Sequence, residues 1–191
     1  MSQQLRLAPD PMRTRIVVGG GLALTAALIA GLVLAHPQPT PATVVPDVAD
    51  GYIADDAPLS PSADVPAITR LRPALRDALQ SAAQDARGSG VDIVVTSGWR
   101  DQRYQDWLRD RAIAQGGEKQ AEETVAAGAT SRHLTGDAID VGPLDADSWM
   151  QQHGARYGLC QIYANEMWHY ELATAPGGTC PTLYPDASAR P

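Results

Sequence analysis

The chain has 191 residues, room for one ordinary domain with appendages. With 44% hydrophobic and 19% charged residues it can bury a core, which argues against global disorder. Its formal net charge of −7 offers no basic patch to neutralise phosphates, which argues against nucleic acid as a partner.

Residues 1–15 read as a short cytoplasmic tail. Ile16 to Ala35 is an uncharged apolar run, IVVGGGLALTAALIAGLVLA. At about 1.5 Å per residue a helix of this length covers roughly the 30 Å of a bilayer core. Arg6, Arg13 and Arg15 precede the run, and no Lys or Arg follows until Arg70. The positive-inside rule therefore keeps the N-terminal side in the cytoplasm and sends the rest outward. A signal segment cut after Ala35 is the rival reading; secretory apolar regions usually run only about 7–15 residues, which favours the anchor. Residues 36–66 are rich in Pro, Ala and Asp without apolar periodicity and read as an extended linker.

The folded part is expected over residues 67–191. Leu71, Leu75, Ala78, Leu79, Ala82 and Ala86 recur at helical spacing, and Gly88 and Gly90 end the pattern. Val91 to Thr96 is a strand by its β-branched content, broken by Ser97-Gly98-Trp99-Arg100. A second helix is expected over Gln102 to Ala114 and stops at Gly116-Gly117. A short strand from Ala138 to Val141 closes at Gly142-Pro143, and a helix from Asp147 to His153 follows. Leu159 to Tyr163 and Trp168 to Leu172 are the last strands, before a Pro- and Gly-rich tail from Pro176. Helices mixed with short strands, without βαβ regularity, predict a small α+β domain with a short sheet flanked by helices.

Cys160 and Cys180 are the only cysteines, an even count in a domain expected outside the membrane, and are read as a disulfide. Twenty residues apart and with no CxxC partner, they make a poor metal pair.

The chemistry concentrates in two runs, Ser131 to Asp140 (SRHLTGDAID) and Glu166 to Glu171 (EMWHYE). Two imidazoles and one carboxylate, His133, Asp140 and His169, make a three-ligand zinc set with a fourth position left over. Glu166 can serve as the base for a water at such a centre. His133 and Asp140 stand seven apart, so a straight strand would point them to opposite faces, and a turn at Thr135-Gly136 is required. Glu166 and His169 are also an odd number apart, so Glu166 must lie on the loop before the strand or at a bulge. Taken singly, each run also fits a surface carboxylate beside a satisfied histidine. Arg100, following a strand, can hold a carboxylate or a developing oxyanion. His36 and His153 fall in the linker and at a helix end, and are not counted as ligands.

Over roughly residues 66–175 the chain resembles the VanY-type zinc D-alanyl-D-alanine carboxypeptidases, relatives of the VanX dipeptidases. The family pattern SxHxxGxAxD fits Ser131, His133, Gly136, Ala138 and Asp140; ExWH fits Glu166, Trp168 and His169. The SGYR-type segment corresponds to Ser97-Gly98-Trp99-Arg100, with Trp99 where Tyr is commoner and Gln105 in the next helix. The resemblance implies Zn²⁺ on His133, Asp140 and His169, and Glu166 as general base and then proton donor. It implies Arg100 stabilising the oxyanion or fixing the substrate, with Ser131 and Gln105 lining the cleft. The implied substrate is a peptidoglycan stem peptide outside the membrane, losing its terminal D-alanine. L,D-carboxypeptidase, D,D-dipeptidase and endopeptidase activities of the same family stay open. So does a non-catalytic wall-binding domain; a redox module on the two cysteines is the remotest alternative.

Overall fold

The computed structural model describes residues 45–125 and 130–190. The expected cytoplasmic tail and the apolar run from Ile16 to Ala35 lie outside the described residues; among those described, no helix is long and apolar enough to cross a membrane.

Among the described residues four helices, α1 (Pro66–Thr69), α2 (Pro73–Gly88), α3 (Gln102–Thr124) and α4 (Leu144–His153), accompany four strands. The strands are β1 (Val94–Ser97), β2 (Ala138–Gly142), β3 (Leu159–Tyr163) and β4 (Glu166–Leu172). They form one sheet in the order β1-β2-β4-β3, every neighbouring pair antiparallel. This is the α+β architecture that the residue pattern predicts.

Helix α2 carries Leu75, Leu79, Ala82, Ala83 and Ala86 as one buried face. That face shares a core with Val95 of β1, Ile139 and Val141 of β2 and Tyr170 of β4. The helix begins at Pro73, two residues after the expected periodic start at Leu71. The residue before a proline avoids helical backbone, and Arg72 is extended at φ −54°, ψ 133°. Helix α3 is capped by Asp101, whose carboxylate accepts from Tyr104 N at 2.8 Å. Its backbone breaks at Gly117 (φ 81°), where the double glycine predicts a stop, but helix resumes to Thr124.

The expected linker ends sooner than residue 66. Asp47 caps a 3₁₀ turn over Val48–Asp50, and Ile53 is buried in the main core. Buried Asp50 is paired with the Arg103 guanidinium. Leu59 exchanges backbone hydrogen bonds with Val95 at 2.9 and 2.8 Å, extending the sheet's β1 edge. Leu59, Ala63 and Val65 pack against the same core as Ile53, at spacings of six, four and two that follow no single period. Leu59 also pairs through its main-chain groups, which composition does not reveal.

Candidate active site

The site is built on the middle of the sheet. Ser97 of β1 is opposite Asp140 of β2, and Asp140 is opposite His169 of β4, so the three stand in one row across neighbouring strands. Between the pairs Gln161–Tyr170 and Tyr163–Glu166 the register shifts, with three residues of β4 facing one of β3. That bulge brings Glu166 and His169, three apart, to the same cleft, the second of the two arrangements their spacing allows.

His133 reaches the row from the loop before β2. The loop is held by Trp99 Nε1 donating to Leu134 O at 3.1 Å and by Arg100 N donating to His133 O at 3.2 Å. It turns at Gly136, where φ is +71° and any Cβ would lie 2.4 Å from Arg70 O, so only glycine fits. Gly98 has a similar constraint: a Cβ there would meet Ala67 O at 2.1 Å. The Gly98 carbonyl accepts from His133 Nδ1 at 2.8 Å. With its proton on Nδ1, His133 presents the lone pair of Nε2 to the centre.

Three atoms converge. His133 Nε2 and His169 Nδ1 each approach Asp140 Oδ1, at 3.3 and 3.1 Å, and the two nitrogens are 3.3 Å apart. Two nitrogens and a carboxylate oxygen this close, all buried, need a cation or a proton between them. The spacing fits a metal: a tetrahedron with bonds of about 2.0–2.1 Å has edges of roughly 3.3 Å. His133, Asp140 and His169 can therefore hold a metal ion, and the donor set suits zinc.

The surroundings hold these groups in place. Arg100 donates to Asp140 Oδ2 (Nη2, 2.8 Å), Ser97 Oγ (Nε, 2.7 Å) and Gln105 Oε1 (Nη1, 3.2 Å). It lines the cleft while clamping the carboxylate. Gln105 and Ser131 are both buried and both line the cleft. His169 donates Nε2–H to Glu171 Oε1 at 3.1 Å, which leaves Nδ1 for the centre. Glu166 Oε2 is 3.8 Å from His169 Nδ1, in a cleft of about 160 Å³ that Trp168 and Arg132 also line.

Charge and burial compete at each group. Burial pushes the Glu166 carboxyl up to about 7. Burial also opposes charge on Asp140, but His133, His169 and Arg100 outweigh it and hold the carboxyl well below its usual range. His133 is lowered by burial and by Arg100. His169 is raised to about 9, because hydrogen bonds to Asp140 and Glu171 overcome its burial. In the metal-free protein a proton on His169 thus supplies the positive charge that a metal would bring.

All the expected metal, base and cleft residues therefore meet in one place. Cys160 and Cys180 form a disulfide, 5.6 Å between Cα atoms, and His153 packs on Trp149 away from the cleft. Glu171 is the group that the sequence reading passed over. Its signal was present, since residues two apart on a strand share a face, and His169 and Glu171 are two apart.

The VanY family model, described as D-alanyl-D-alanine carboxypeptidase, matches residues 68–175. The chain belongs to the VanY family. A D-alanyl-D-alanine carboxypeptidase of Enterococcus faecalis is 28% identical, over 58% of this chain and 49% of that protein. The chain thus spans about half the length of this relative. Among solved structures, a vancomycin resistance D,D-pentapeptidase VanY from a VanB-type resistance cassette, in complex with Zn(II), matches with a TM-score of 0.51. It is 23% identical, covering 65% of this chain and 88% of that one, and the likeness is one of fold.

Proposed function

We propose that this VanY-family chain is a zinc-dependent carboxypeptidase that removes the terminal D-alanine from peptidoglycan stem peptides outside the cytoplasmic membrane. The observation that carries the reading is the convergence of His133, Asp140 and His169 with Glu166 facing the same buried cleft. His133 Nε2, Asp140 Oδ1 and His169 Nδ1 would hold the metal. When bound, zinc lowers the pKa of a water to about 7 and polarises the peptide carbonyl.

The chain's own groups do the rest. Glu166 accepts the proton of the attacking water and passes it to the departing amine. Its raised affinity for a proton, from burial, suits both halves of that shuttle. Arg100 keeps Asp140 oriented and places a positive charge beside the carbonyl oxygen as negative charge develops there. Ser131 and Gln105 shape the cleft. Ile16 to Ala35 is proposed as a single membrane anchor with the catalytic domain outside; the Cys160–Cys180 bridge suits that oxidising side.

The test uses the full chain and a pentapeptide stem ending in D-Ala-D-Ala, with products weighed by mass spectrometry. Loss of one alanine, abolished by a chelator and restored by zinc, is the expected result. Loss of a dipeptide, or cleavage only of a tetrapeptide stem, would move the activity to a D,D-dipeptidase or an L,D-carboxypeptidase. No cleavage of any stem would leave a wall-binding domain.

A further inference from the structure

The segment after β4 returns to the site from the far side. It is bonded at Cys180 to Cys160 of β3 and then pairs with the end of that strand. Tyr184 N donates to Ile162 O at 3.0 Å, and Ala164 N to Tyr184 O at 2.8 Å. Asp186 caps a 3₁₀ turn over Ala187–Ala189, Ala187 lines the catalytic cleft, and the chain arrives at Arg190. The Arg190 guanidinium bonds both oxygens of Glu171, Nη1 to Oε1 and Nη2 to Oε2 at 3.0 Å. Nη1 also donates to the Tyr163 hydroxyl at 3.2 Å. The Glu171 side chain is only 7% exposed, and the Arg132 guanidinium is 3.9 Å away.

We propose that Arg190 is a positioning residue of the metal centre, acting through Glu171 on His169. The inference rests on His133, Asp140 and His169 being metal ligands. A two-point guanidinium contact fixes the plane of a carboxylate. With that plane fixed, Glu171 Oε1 stays 3.1 Å from His169 Nε2, and the imidazole keeps its proton there and its lone pair on Nδ1. Without Arg190 the Glu171 carboxylate can turn, and the ring loses the acceptor that sets both its tautomer and its angle. Second-layer partners of metal-bound histidines typically change metal affinity about 10–100-fold when removed.

Zinc affinity is measured by competition against a chromophoric chelator for the full chain and for Arg190→Ala, Arg190→Lys, Glu171→Gln and the Arg190→Ala/Glu171→Gln pair. Thermal unfolding of each metal-free protein is recorded alongside. Arg190→Ala should weaken zinc about 10–100-fold. Arg190→Lys, with charge but one point of contact, should fall between it and the unaltered protein. In the Glu171→Gln background, Arg190→Ala should cost little further affinity, because the route runs through that carboxylate. Equal zinc affinity with a lowered unfolding temperature would make Arg190 a simple fastener of the segment and overturn the inference. Additive losses would overturn the route through Glu171. Should Arg190→Ala not fold, Arg190→Lys decides, and an unaltered affinity there counts against the inference. If the unaltered chain binds no zinc, it is the metal-site reading itself that fails.

Discussion

Glu166 combines two properties: it is buried, and it faces the cleft beside His169. A base that must both take and release a proton works best when its proton affinity is near the ambient pH. Glu166→Gln keeps the shape and removes the proton acceptor. We expect kcat for stem-peptide hydrolysis to fall about 10²–10⁴-fold, with zinc content by elemental analysis unchanged, since Glu166 is not among the three converging atoms. Full kcat in that variant would place the base elsewhere. At this scale the sequence revealed the participants because metal-ligand types occur in so few positions: two of the four histidines fall in the two runs. It revealed neither the Asp140–Arg100 bond nor Arg190, since those contacts join residues 40 and 19 positions apart through the fold.

Elements position these side chains, and one element carries a cost. In the first turn of α4, Asp147 is 6% exposed, and its Oδ1 has no hydrogen-bond partner among the described residues. Burial, with some repulsion from Asp140, raises its carboxyl to about 6. An acid whose folded pKa lies above its unfolded value binds more protons when folded. The contribution of Asp147 to stability is then fullest below about pH 4, the unfolded value, and is lost as pH rises through about 6. Asp147→Asn removes that titration. We expect the variant to gain about 1 kcal/mol at pH 7, after allowance for solvent screening and for an amide that also lacks a partner, and nothing at pH 4. Urea unfolding at the two pH values checks this; an equal change at both would mean that charge on Asp147 is not the cause. Element types were legible where a period was long enough to see, as in α2. Boundaries slipped where a local backbone rule overrode the period, at Arg72 before Pro73, and where core contacts follow no single period, at Ile53, Leu59, Ala63 and Val65.

Across the whole molecule, the segment from Cys180 to Arg190 is fastened in three ways: a covalent bond to β3, strand-like pairing at Tyr184, and the ionic clamp on Glu171. These fasteners act on different states. The bridge spans 20 positions, and by restricting the unfolded chain it contributes about 3 kcal/mol to stability. The clamp is a native contact beside the candidate metal ligand His169 and has no counterpart in the unfolded chain. Replacing both cysteines by alanine should therefore lower the free energy of urea unfolding by about 3 kcal/mol. Zinc affinity of the folded variant should stay within a few-fold of the original, because Tyr184 and Arg190 still seat the segment. Arg190→Ala should show the reverse weighting, a large change in zinc affinity with the disulfide intact. If losing the bridge instead weakened zinc as much as losing Arg190, the segment would act on the centre as one tethered body. Arg190 would then owe its place to the covalent bond ten residues before it.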